Sequence, residues 1–491
     1  MKAVFVSIAM LALMASQAVQ ADLTEALELY NKHHYQSAAK NLRQQMVSSS
    51  VQMTDRSLLT LGMIYLKNAE LYDALYKASI KSNYDYLHYL VSERVKSPSI
   101  YVNLYLAKAL IETGELSSAR KYLLAFIGKG EAPSKYKKIA KVNLALCLYL
   151  ENKVQQATKI WKTIRTQDMD VRAELVAAYK KSGFKDVNVI KMANEIKSDL
   201  MKYRKKATAS AYYNLIDIYA YEGDVNTALT LIEAVDLSLP VYKEAISESK
   251  KLQFYHLPLT NSLSHLFRRA SEYYLKKVNS KGHNDTASYY LGEVYFLSGD
   301  TQNEAKSTRK ALASYRLSEK LSNRARIRQA AGLYASGQKG VAMQVWNDLA
   351  GDDRVRPDQL ADALTFCDYV NADCSKILNT ALKLSGEYVE KNTKNLNFAI
   401  GQYYLTQVNY DKSITYLEAA RDKSNKNKIE ANNPMLLVRL AEAYRGNRYY
   451  SENLEIFFEM SEEFPATRQI QEAVQGIYSL EHRSAGDVKI F

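Results

Sequence analysis

Apolar residues recur at helical spacing along most of the chain, and short polar turns separate one apolar stretch from the next. Within residues 209–240, the first stretch has its apolar stripe at Tyr212, Leu215, Ile216 and Tyr219. Gly223-Asp224 follows, and the second stripe consists of Ala228, Ile232 and Val235, with Pro240 behind it. Spacings of three and four residues place each stripe on one face of a helix. The segment therefore predicts two helices joined by a tight turn and stopped by a proline.

The same pattern can be laid in register along most of the chain, which indicates an internal repeat. A small residue marks the second helix of each copy, at Ala38, Ala74, Ala119, Ala157, Ala228, Ala342, Ser413 and Asn453. The wider gaps between these positions leave room for decayed copies, within Val171–Ile196, Tyr242–Ala305 and Pro357–Leu384. We count about nine recognisable repeats and three degenerate ones.

Six residues of the first segment fall on the signature positions of one repeat family: Leu215, Tyr219, Gly223, Asp224, Ala228 and Pro240. The chain resembles the tetratricopeptide repeat (TPR) superfamily, as an exported bacterial member of it. The resemblance implies an all-α fold, a TPR-type helix-turn-helix superhelical solenoid. In such a fold the first helix of each repeat, here called helix A, lines a concave face that contacts ligands. The second helix is here called helix B.

Carrying the family's lining positions onto the clearer repeats gives a set of candidate binding residues on the concave face. They are Tyr213, Asp217, Tyr221, Tyr289, Glu293, Phe296, Phe398, Gln402, Glu442 and Arg445. Aromatic and polar groups together suit extended peptide or sugar chains. The alternative is that many of the tyrosines pack between repeats. The run of Lys and Asn that relatives use to clamp two carboxylates is absent, so we do not predict such a clamp.

The N-terminus has the features of a secretory signal peptide, 1–21. Lys2 supplies a positive start, residues 3–15 are apolar, and cleavage is expected after Ala21. We therefore predict a periplasmic protein, with an extracellular location as the alternative. The remaining chain is expected to comprise an N-terminal TPR array (22–240), an irregular helical connector (241–284), a C-terminal TPR array (285–465), a capping helix (466–480) and a flexible tail (481–491).

Charge and candidate chemistry change this picture only slightly. The net charge of +13 favours contact with anionic surfaces, glycans or acidic proteins, and export makes nucleic acid a poor candidate. Cys367 and Cys374 flank an expected interhelical turn, and a disulfide between them is left open. His33-His34 is expected at a turn, without the further ligands that a metal needs. Motifs for catalysis or phosphate binding are missing, so no enzyme activity, metal or cofactor is predicted.

Three functions remain in competition. The first is a non-catalytic periplasmic TPR scaffold or adaptor that mediates protein–protein interactions in a cell-envelope machine, such as a secretion, pilus, polysaccharide-export or outer-membrane assembly system. The second is a protein that binds an anionic glycan or peptidoglycan through its basic, Tyr-rich surface. The third, less favoured, is a solenoid-containing enzyme similar to a lytic transglycosylase. Its compact catalytic domain would need a block of non-repeat sequence, and we find none large enough.

Overall fold

A computed structural model of the chain describes residues 23–48, 54–91, 101–203, 209–235, 257–297, 313–314, 322–387, 393–421 and 432–461, with scattered positions from 464 to 478. Within these residues the regular secondary structure is helical, without strands, so the predicted all-α fold is confirmed. The expected signal peptide (1–21), most of the capping helix (466–480) and the tail (481–491) lie outside the described residues.

Pairs of helices joined by short turns follow one another along the chain. The helices of the first part are α1 (23–31), α2 (Tyr35–Ser48), α3 (Asp55–Val91), α4 (Val102–Glu112), α5 (Leu116–Gly128), α6 (Ser134–Leu150), α7 (Val154–Thr163), α8 (Met169–Ser182), α9 (Val189–Lys202), α10 (Ala209–Glu222), α11 (Val225–Ala234) and α12 (Leu257–Asn279). Those of the second part are α13 (Asp285–Leu297), α14 (Ser322–Ala335), α15 (Lys339–Ala350), α16 (Pro357–Tyr369), α17 (Ser375–Glu387), α18 (Lys394–Thr406), α19 (Tyr410–Ala420), α20 (Pro434–Gly446) and α21 (Tyr450–Met460).

The turn between helix A and helix B has the same conformation in successive repeats. One residue of each turn adopts a left-handed backbone, which suits glycine because it lacks a Cβ atom. These residues are Gly114, Gly183, Gly223, Gly337, His33, Asn152, Asn371, Val408 and Arg448. In two of these turns the next residue caps helix B: Asp224 accepts a hydrogen bond from the amide of Thr227, and Asn409 accepts one from the amide of Lys412. His33 therefore occupies a turn, as the sequence predicts.

The hairpin of α18 and α19 shows how helix A and helix B are held together. Gly401 lies so close to α19 that a Cβ atom on it would stand 2.7 Å from the Leu417 side chain. The buried Ser413 Oγ donates a hydrogen bond to Gly401 O over 2.8 Å. Tyr404 and Tyr416 stack beside this contact, with ring centroids 5.9 Å apart. The close approach of the two backbones thus depends on a missing side chain and on a buried hydroxyl.

Helix α3 differs from the sequence prediction. The repeat that begins at Asp55 is expected to turn before Ala74, but Asp55–Val91 is a single helix of 37 residues. Ala69 and Glu70 occupy the positions that Gly223 and Asp224 hold in the template repeat. Both are strong helix formers, and alanine does not easily adopt a left-handed backbone. The helix therefore continues, and the predicted helix A of this repeat needs another partner.

That partner is the second half of α12. Ser271 Oγ donates a hydrogen bond to Gly62 O over 2.7 Å, although 209 residues separate them. A Cβ atom on Gly62 would stand 2.6 Å from the Leu275 side chain, and Tyr65 stacks on Tyr274 with centroids 5.8 Å apart. On helix A, Gly62 and Tyr65 have the same spacing as Gly401 and Tyr404 of α18. On helix B, Ser271, Tyr274 and Leu275 have the same spacing as Ser413, Tyr416 and Leu417 of α19. These two half-helices are therefore helix A and helix B of one repeat, here called the split repeat.

Two compact units divide the chain at sites inside α3 and α12. The first unit comprises residues 1–71 and 270–459, and the second comprises residues 72–269 and 460–491. In sequence, most of the second unit is inserted between the two helices of the split repeat. The second half of α12 lies within the predicted connector (241–284) and serves as helix B of the split repeat. The predicted arrays on either side of this connector stay a prediction.

Gly62→Ala is expected to lower the free energy of unfolding by roughly 1–3 kcal/mol, because the added methyl group overlaps Leu275. Gly401→Ala should have a similar effect through Leu417. Gly340→Ala in α15 is the matched control, since no atom lies within 4 Å of its added methyl group. Urea denaturation measures all three. A Gly62→Ala protein as stable as the Gly340→Ala control would contradict the split repeat.

Val408→Gly is expected to stabilise the protein by roughly 1 kcal/mol, because a β-branched residue is strained at the observed φ of 59°. The Val408 side chain is 65% exposed, so little packing is lost with it. Val341 is also exposed but lies within α15, and Val341→Gly should destabilise slightly. Thermal unfolding separates the two outcomes. A drop in melting temperature for Val408→Gly would show that this valine is not strained.

Candidate binding surface on the second unit

Glu174 is the centre of a polar cluster on the helix A side of the second unit. Lys108 of α4 forms an ion pair with Glu174 Oε1 at 2.7 Å. Asn143 Nδ2 of α6 donates to the same oxygen over 2.7 Å, and Asn214 Nδ2 of α10 donates to the other oxygen over 3.4 Å. Because Glu174 itself belongs to α8, one carboxylate connects helix A of four successive repeats.

The Glu174 carboxylate is buried and ionised. Glu174 is only 6% exposed, and burial alone would raise its pKa. The positive charge and hydrogen bond of Lys108, with the amides of Asn143 and Asn214, outweigh burial and hold the pKa of Glu174 below its usual value. The cluster is therefore a permanent ionic link and no source of protons at neutral pH.

A second cluster surrounds Glu112 at the end of α4. Lys181 of α8 forms an ion pair with Glu112 Oε1 at 2.8 Å, and the Tyr76 hydroxyl donates to Oε2 over 3.2 Å. Burial and the nearby carboxylate raise the pKa of Tyr76, so its hydroxyl remains a donor. Burial would raise the pKa of Glu112, but Lys181 and the Tyr76 hydroxyl hold it below its usual value. Here again a carboxylate is fixed in its ionised form.

Tyr221 gives this surface an exposed aromatic ring. The residue is 45% exposed, and its ring stacks on His265 of α12 with centroids 3.8 Å apart. Lys180 Nζ lies 5.9 Å from the Tyr221 ring centroid and pairs with Glu222. Asp217, one helical turn earlier, has its Oδ1 atom 3.8 Å from His265 Nδ1. The arrangement is an immobilised aromatic ring with charged groups of both signs around it.

His265 supports Tyr221 as a neutral ring. It is 5% exposed, and burial together with the positive charges of Arg268, Arg269 and Lys180 holds its pKa well below the usual value. A neutral imidazole can stack closely on the tyrosine without the cost of a buried charge. The chemistry that this surface offers is therefore contact with flat or apolar groups, bordered by hydrogen bonds and ion pairs.

The structure brings only some of the predicted binding residues to a surface. Asp217 and Tyr221 lie together beside His265 in the second unit. Tyr213 is fully buried there, so it packs between helices as the alternative reading proposed. In the first unit, Tyr289 and Glu293 are also buried, at 3% and 6% exposure. Their placement on an open face is thus corrected, because the repeat core requires an apolar or paired side chain at those positions.

Glu293 belongs to a structural ionic cluster of the first unit. The guanidinium of Arg328 pairs with Glu293 and approaches Asp362, with Nη2 and Oδ1 3.4 Å apart. It also lies over the Phe366 ring, 4.2 Å from its centroid. These contacts connect helix A of three repeats, α13, α14 and α16. The cluster is a counterpart of the Glu174 cluster, with the charges reversed.

Four other predicted binding residues of the first unit are partly exposed. Phe398, Gln402 and Arg445 are half-buried. Glu442 pairs with Arg439 at 2.6 Å along α20. Phe296 lies in α13, and its side chain is outside the described part of the structure. The binding role of these residues stays a prediction.

Sequence reasoning missed most members of the Glu174 and Glu112 clusters, although the repeat register contains the signal. Lys108 stands as far before Ala119 as Asp217 stands before Ala228, and Glu112 has the register of Tyr221. Transferring the lining positions to the weaker repeat that contains Ala119 would have identified Lys108 and Glu112 as candidates. His265 could not be found in this way, because its contact with Tyr221 joins segments outside any one repeat.

Cys367 and Cys374 form a disulfide across the turn between α16 and α17, with Cα atoms 5.9 Å apart. Cys147 is a buried free thiol. Burial raises the pKa of Cys147 to about 12, which makes it unreactive at neutral pH. Within the described residues, no group of three or more His, Cys, Asp and Glu is arranged to hold a metal ion. Nor does any described helix have the length and apolar character to cross a membrane.

No protein-family model matches the chain, and no curated protein sequence matches it. Among solved structures it is similar to the APC/C hetero-tetramer Cut9-Hcn1, at 13% identity and a TM-score of 0.27, with 93% of this chain and 96% of that chain covered. The P58(IPK) TPR domain has 14% identity, a TM-score of 0.21 and coverage of 78% and 99%. The human IFIT1 dimer with PPP-AAAA has 13% identity, a TM-score of 0.22 and coverage of 80% and 94%.

TM-scores of this size do not by themselves establish a shared architecture. The TPR type of the described hairpins follows from their own register, left-handed turns and close helix A to helix B contacts. On that basis the TPR fold expected from the sequence is confirmed, and the number of repeats stays a prediction.

Glu174→Gln is expected to destabilise the protein by roughly 2–4 kcal/mol, because Lys108 then remains partly buried without its partner. The lowered pKa of Glu174 contributes stability above the unfolded-state pKa, and that contribution is lost as the pH falls through the folded-state pKa. The variant should therefore also lose part of the acid sensitivity below about pH 4.5. Exposed Glu195→Gln is the control. Equal effects of the two substitutions would contradict the ionic link.

Thiol titration should separate the three cysteines. In unfolded protein without reductant, one thiol is expected to react, since Cys367 and Cys374 are bonded. After reduction, three thiols are expected. Three reactive thiols before reduction would show that the two cysteines are unpaired in the purified protein.

Proposed function

We propose that this protein is a non-catalytic periplasmic scaffold of the TPR type, which binds protein or peptide partners in a cell-envelope machine. Secretion, pilus, polysaccharide-export and outer-membrane assembly systems are the candidate machines. The predicted signal peptide supports export, and the regular helical hairpins support a binding role. Helix 23–31 begins directly after the expected cleavage site, so the first described repeat would remain in the exported chain.

The observation that carries the proposal is the exposed Tyr221 ring on an otherwise ion-paired helix A surface. A tyrosine ring supplies a large contact area with little loss of conformational freedom, and tyrosines are frequent at the centre of protein interfaces. His265 holds one side of this ring, so less ordering is needed on binding. Asp217, Lys180 and Glu222 surround it with groups that can pair with polar side chains of a partner.

The acidic side chains of this surface favour binding over catalysis. Glu174 and Glu112 are each held by an ammonium group and by hydrogen bonds, with pKa values below the usual range. A general acid needs the opposite shift, toward neutral pH. This supports the non-catalytic reading, and an assay for peptidoglycan release by the purified protein tests it further.

Tyr221→Ala is expected to reduce the capture of partners by at least tenfold, since loss of one central tyrosine at an interface costs more than about 1.4 kcal/mol. The measurement is crosslinking of the tagged full chain in envelope extracts, followed by identification of the captured proteins. Tyr449→Ala is the control, because Tyr449 is equally exposed but lies at a turn of the first unit.

Three results would contradict the proposal. Capture of the same partners by the Tyr221→Ala protein would remove this surface as the binding site. Enrichment of an anionic glycan or peptidoglycan without specific proteins would favour the second hypothesis from the sequence. Turnover of peptidoglycan would establish an enzyme.

A further inference from the structure

Most of the excess positive charge of the protein is concentrated in one stretch of the second unit. Residues 101–203 contain 19 Lys and Arg and 10 Asp and Glu, a net charge of +9, whereas the whole chain has +13. The remaining residues together carry only +4. The stretch comprises the hairpins of α4 to α9, and all of its residues are described. A local excess of this size attracts anions, either a binding partner or screening ions.

Among the cations of this stretch that form no ion pair, six lie at one edge of these hairpins, where helix B leads into the next helix A. They are Lys129, Lys137, Lys138, Lys141, Lys162 and Arg165, here called the basic edge. Lys137 Nζ donates to Gly130 O over 3.2 Å, and Lys138 Nζ donates to Arg165 O over 3.1 Å. These two bonds bring the α5–α6 loop, the start of α6 and the end of α7 together.

No carboxylate within the described 101–203 stretch neutralises the basic edge. Glu131 lies in the α5–α6 loop between Lys129 and Lys137 and is exposed, but it forms no ion pair with these cations. Asp168 and Asp170 are already engaged, since both pair with Lys135. Arg172 pairs with Asp199. At the opposite edge of the same hairpins, by contrast, Glu151 pairs with both Arg120 and Lys153. The basic edge is thus a one-sided accumulation of charge.

The position of these lysines is unfavourable for folding. Lys137, Lys138 and Lys141 all lie in the first two turns of α6, whose first turn contains no acidic residue. The N-terminal end of a helix carries a partial positive charge and favours acidic side chains. The lysines oppose this preference and also repel one another. An anionic partner would relieve both effects.

We propose that the basic edge is a docking surface for an anionic lipid bilayer. Its cations extend over three connected segments instead of converging on a point, which suits a layer of headgroups. Five of the six are lysines, which act as hydrated point charges and do not need the paired geometry of arginine. Each lysine close to an anionic membrane contributes about 1 kcal/mol to binding.

The surroundings of the basic edge argue against a sugar chain as the partner. Recognition of sugar rings commonly uses exposed aromatic faces. Between residues 129 and 165, Tyr136 and Trp161 are buried and Tyr149 is half-buried, so this edge presents no exposed ring. The inference is independent of the proposed scaffold function, because Tyr221 and its neighbours lie on other elements.

The test is sedimentation of residues 22–491, the chain expected to remain after the predicted cleavage, with vesicles. The protein should bind vesicles of phosphatidylglycerol and phosphatidylcholine, but not vesicles of phosphatidylcholine alone. Binding should weaken strongly between about 0.1 M and 1 M salt, as the Debye length falls from about 10 Å to 3 Å. Failure to bind the anionic vesicles at low salt would overturn the proposal.

A charge-reversal variant locates the site. Lys137→Glu, Lys138→Glu and Lys141→Glu together are expected to weaken vesicle binding by at least about 100-fold at low salt. The melting temperature of this triple variant should not fall, because acidic residues suit the start of a helix. The control combines Lys339→Glu, Lys376→Glu and Lys412→Glu, three exposed positions of the first unit with the same total change in charge.

The two variants give distinguishable outcomes. Loss of binding in the α6 variant with retention in the control supports the basic edge. Equal loss in both would show that only the net charge matters, and would overturn the assignment. Competition with soluble dextran sulfate completes the experiment. Wild-type protein that binds dextran sulfate tightly but ignores the vesicles would show that the partner is an acidic polymer and not a membrane.

Discussion

Close contact between helix A and helix B of each repeat is the interaction on which this structure depends. In three of the repeats, a glycine or alanine on helix A lets the backbones approach, and a polar residue on helix B donates to a helix A carbonyl. Ser413 does so to Gly401 O, and Asn453 Nδ2 does so to Ala441 O over 2.6 Å. Since these groups are buried, a missing partner would leave part of the contact unsatisfied. The contact thus fixes register as well as distance, and the open surfaces depend on that register.

The same contact explains how a chain can leave a repeat and return to it. Ser271 donates a hydrogen bond to Gly62 O as Ser413 does to Gly401 O, although far more residues separate the first pair. Nothing in the contact requires the two helices to be joined by a short turn. Continuous helix formation through Ala69 and Glu70 carries the chain into the second unit, and α12 brings it back. A repeat signature therefore predicts a packing partner more securely than it predicts the neighbour in sequence.

Residue patterns within one repeat were sufficient to predict most of the helices, most of the tight turns and most of the small residues of helix B. They were not sufficient for features that depend on pairing over long distances. The helix A pattern at Gly62 was recognised, but its helix B was sought at Ala74, because a nearby alanine satisfied the spacing. Asp217 and Tyr221 were predicted as surface residues, whereas Tyr213 and Glu293 were assigned to the same face and are buried. Side-chain direction at those positions depends on the neighbouring repeat, which the pattern of a single repeat does not contain.

Thiol crosslinking of α3 to α12 tests the central claim, the split repeat, most directly. Tyr65→Cys with Tyr274→Cys in the full chain should be crosslinked by a short bismaleimide, as should Tyr404→Cys with Tyr416→Cys, since both tyrosine pairs stack at nearly the same distance. The first pair should react more slowly, because Tyr65 and Tyr274 are buried whereas Tyr404 and Tyr416 are partly exposed. The product should be intramolecular at all protein concentrations. Efficient crosslinking of residues 404 and 416 without crosslinking of residues 65 and 274 would contradict the split repeat.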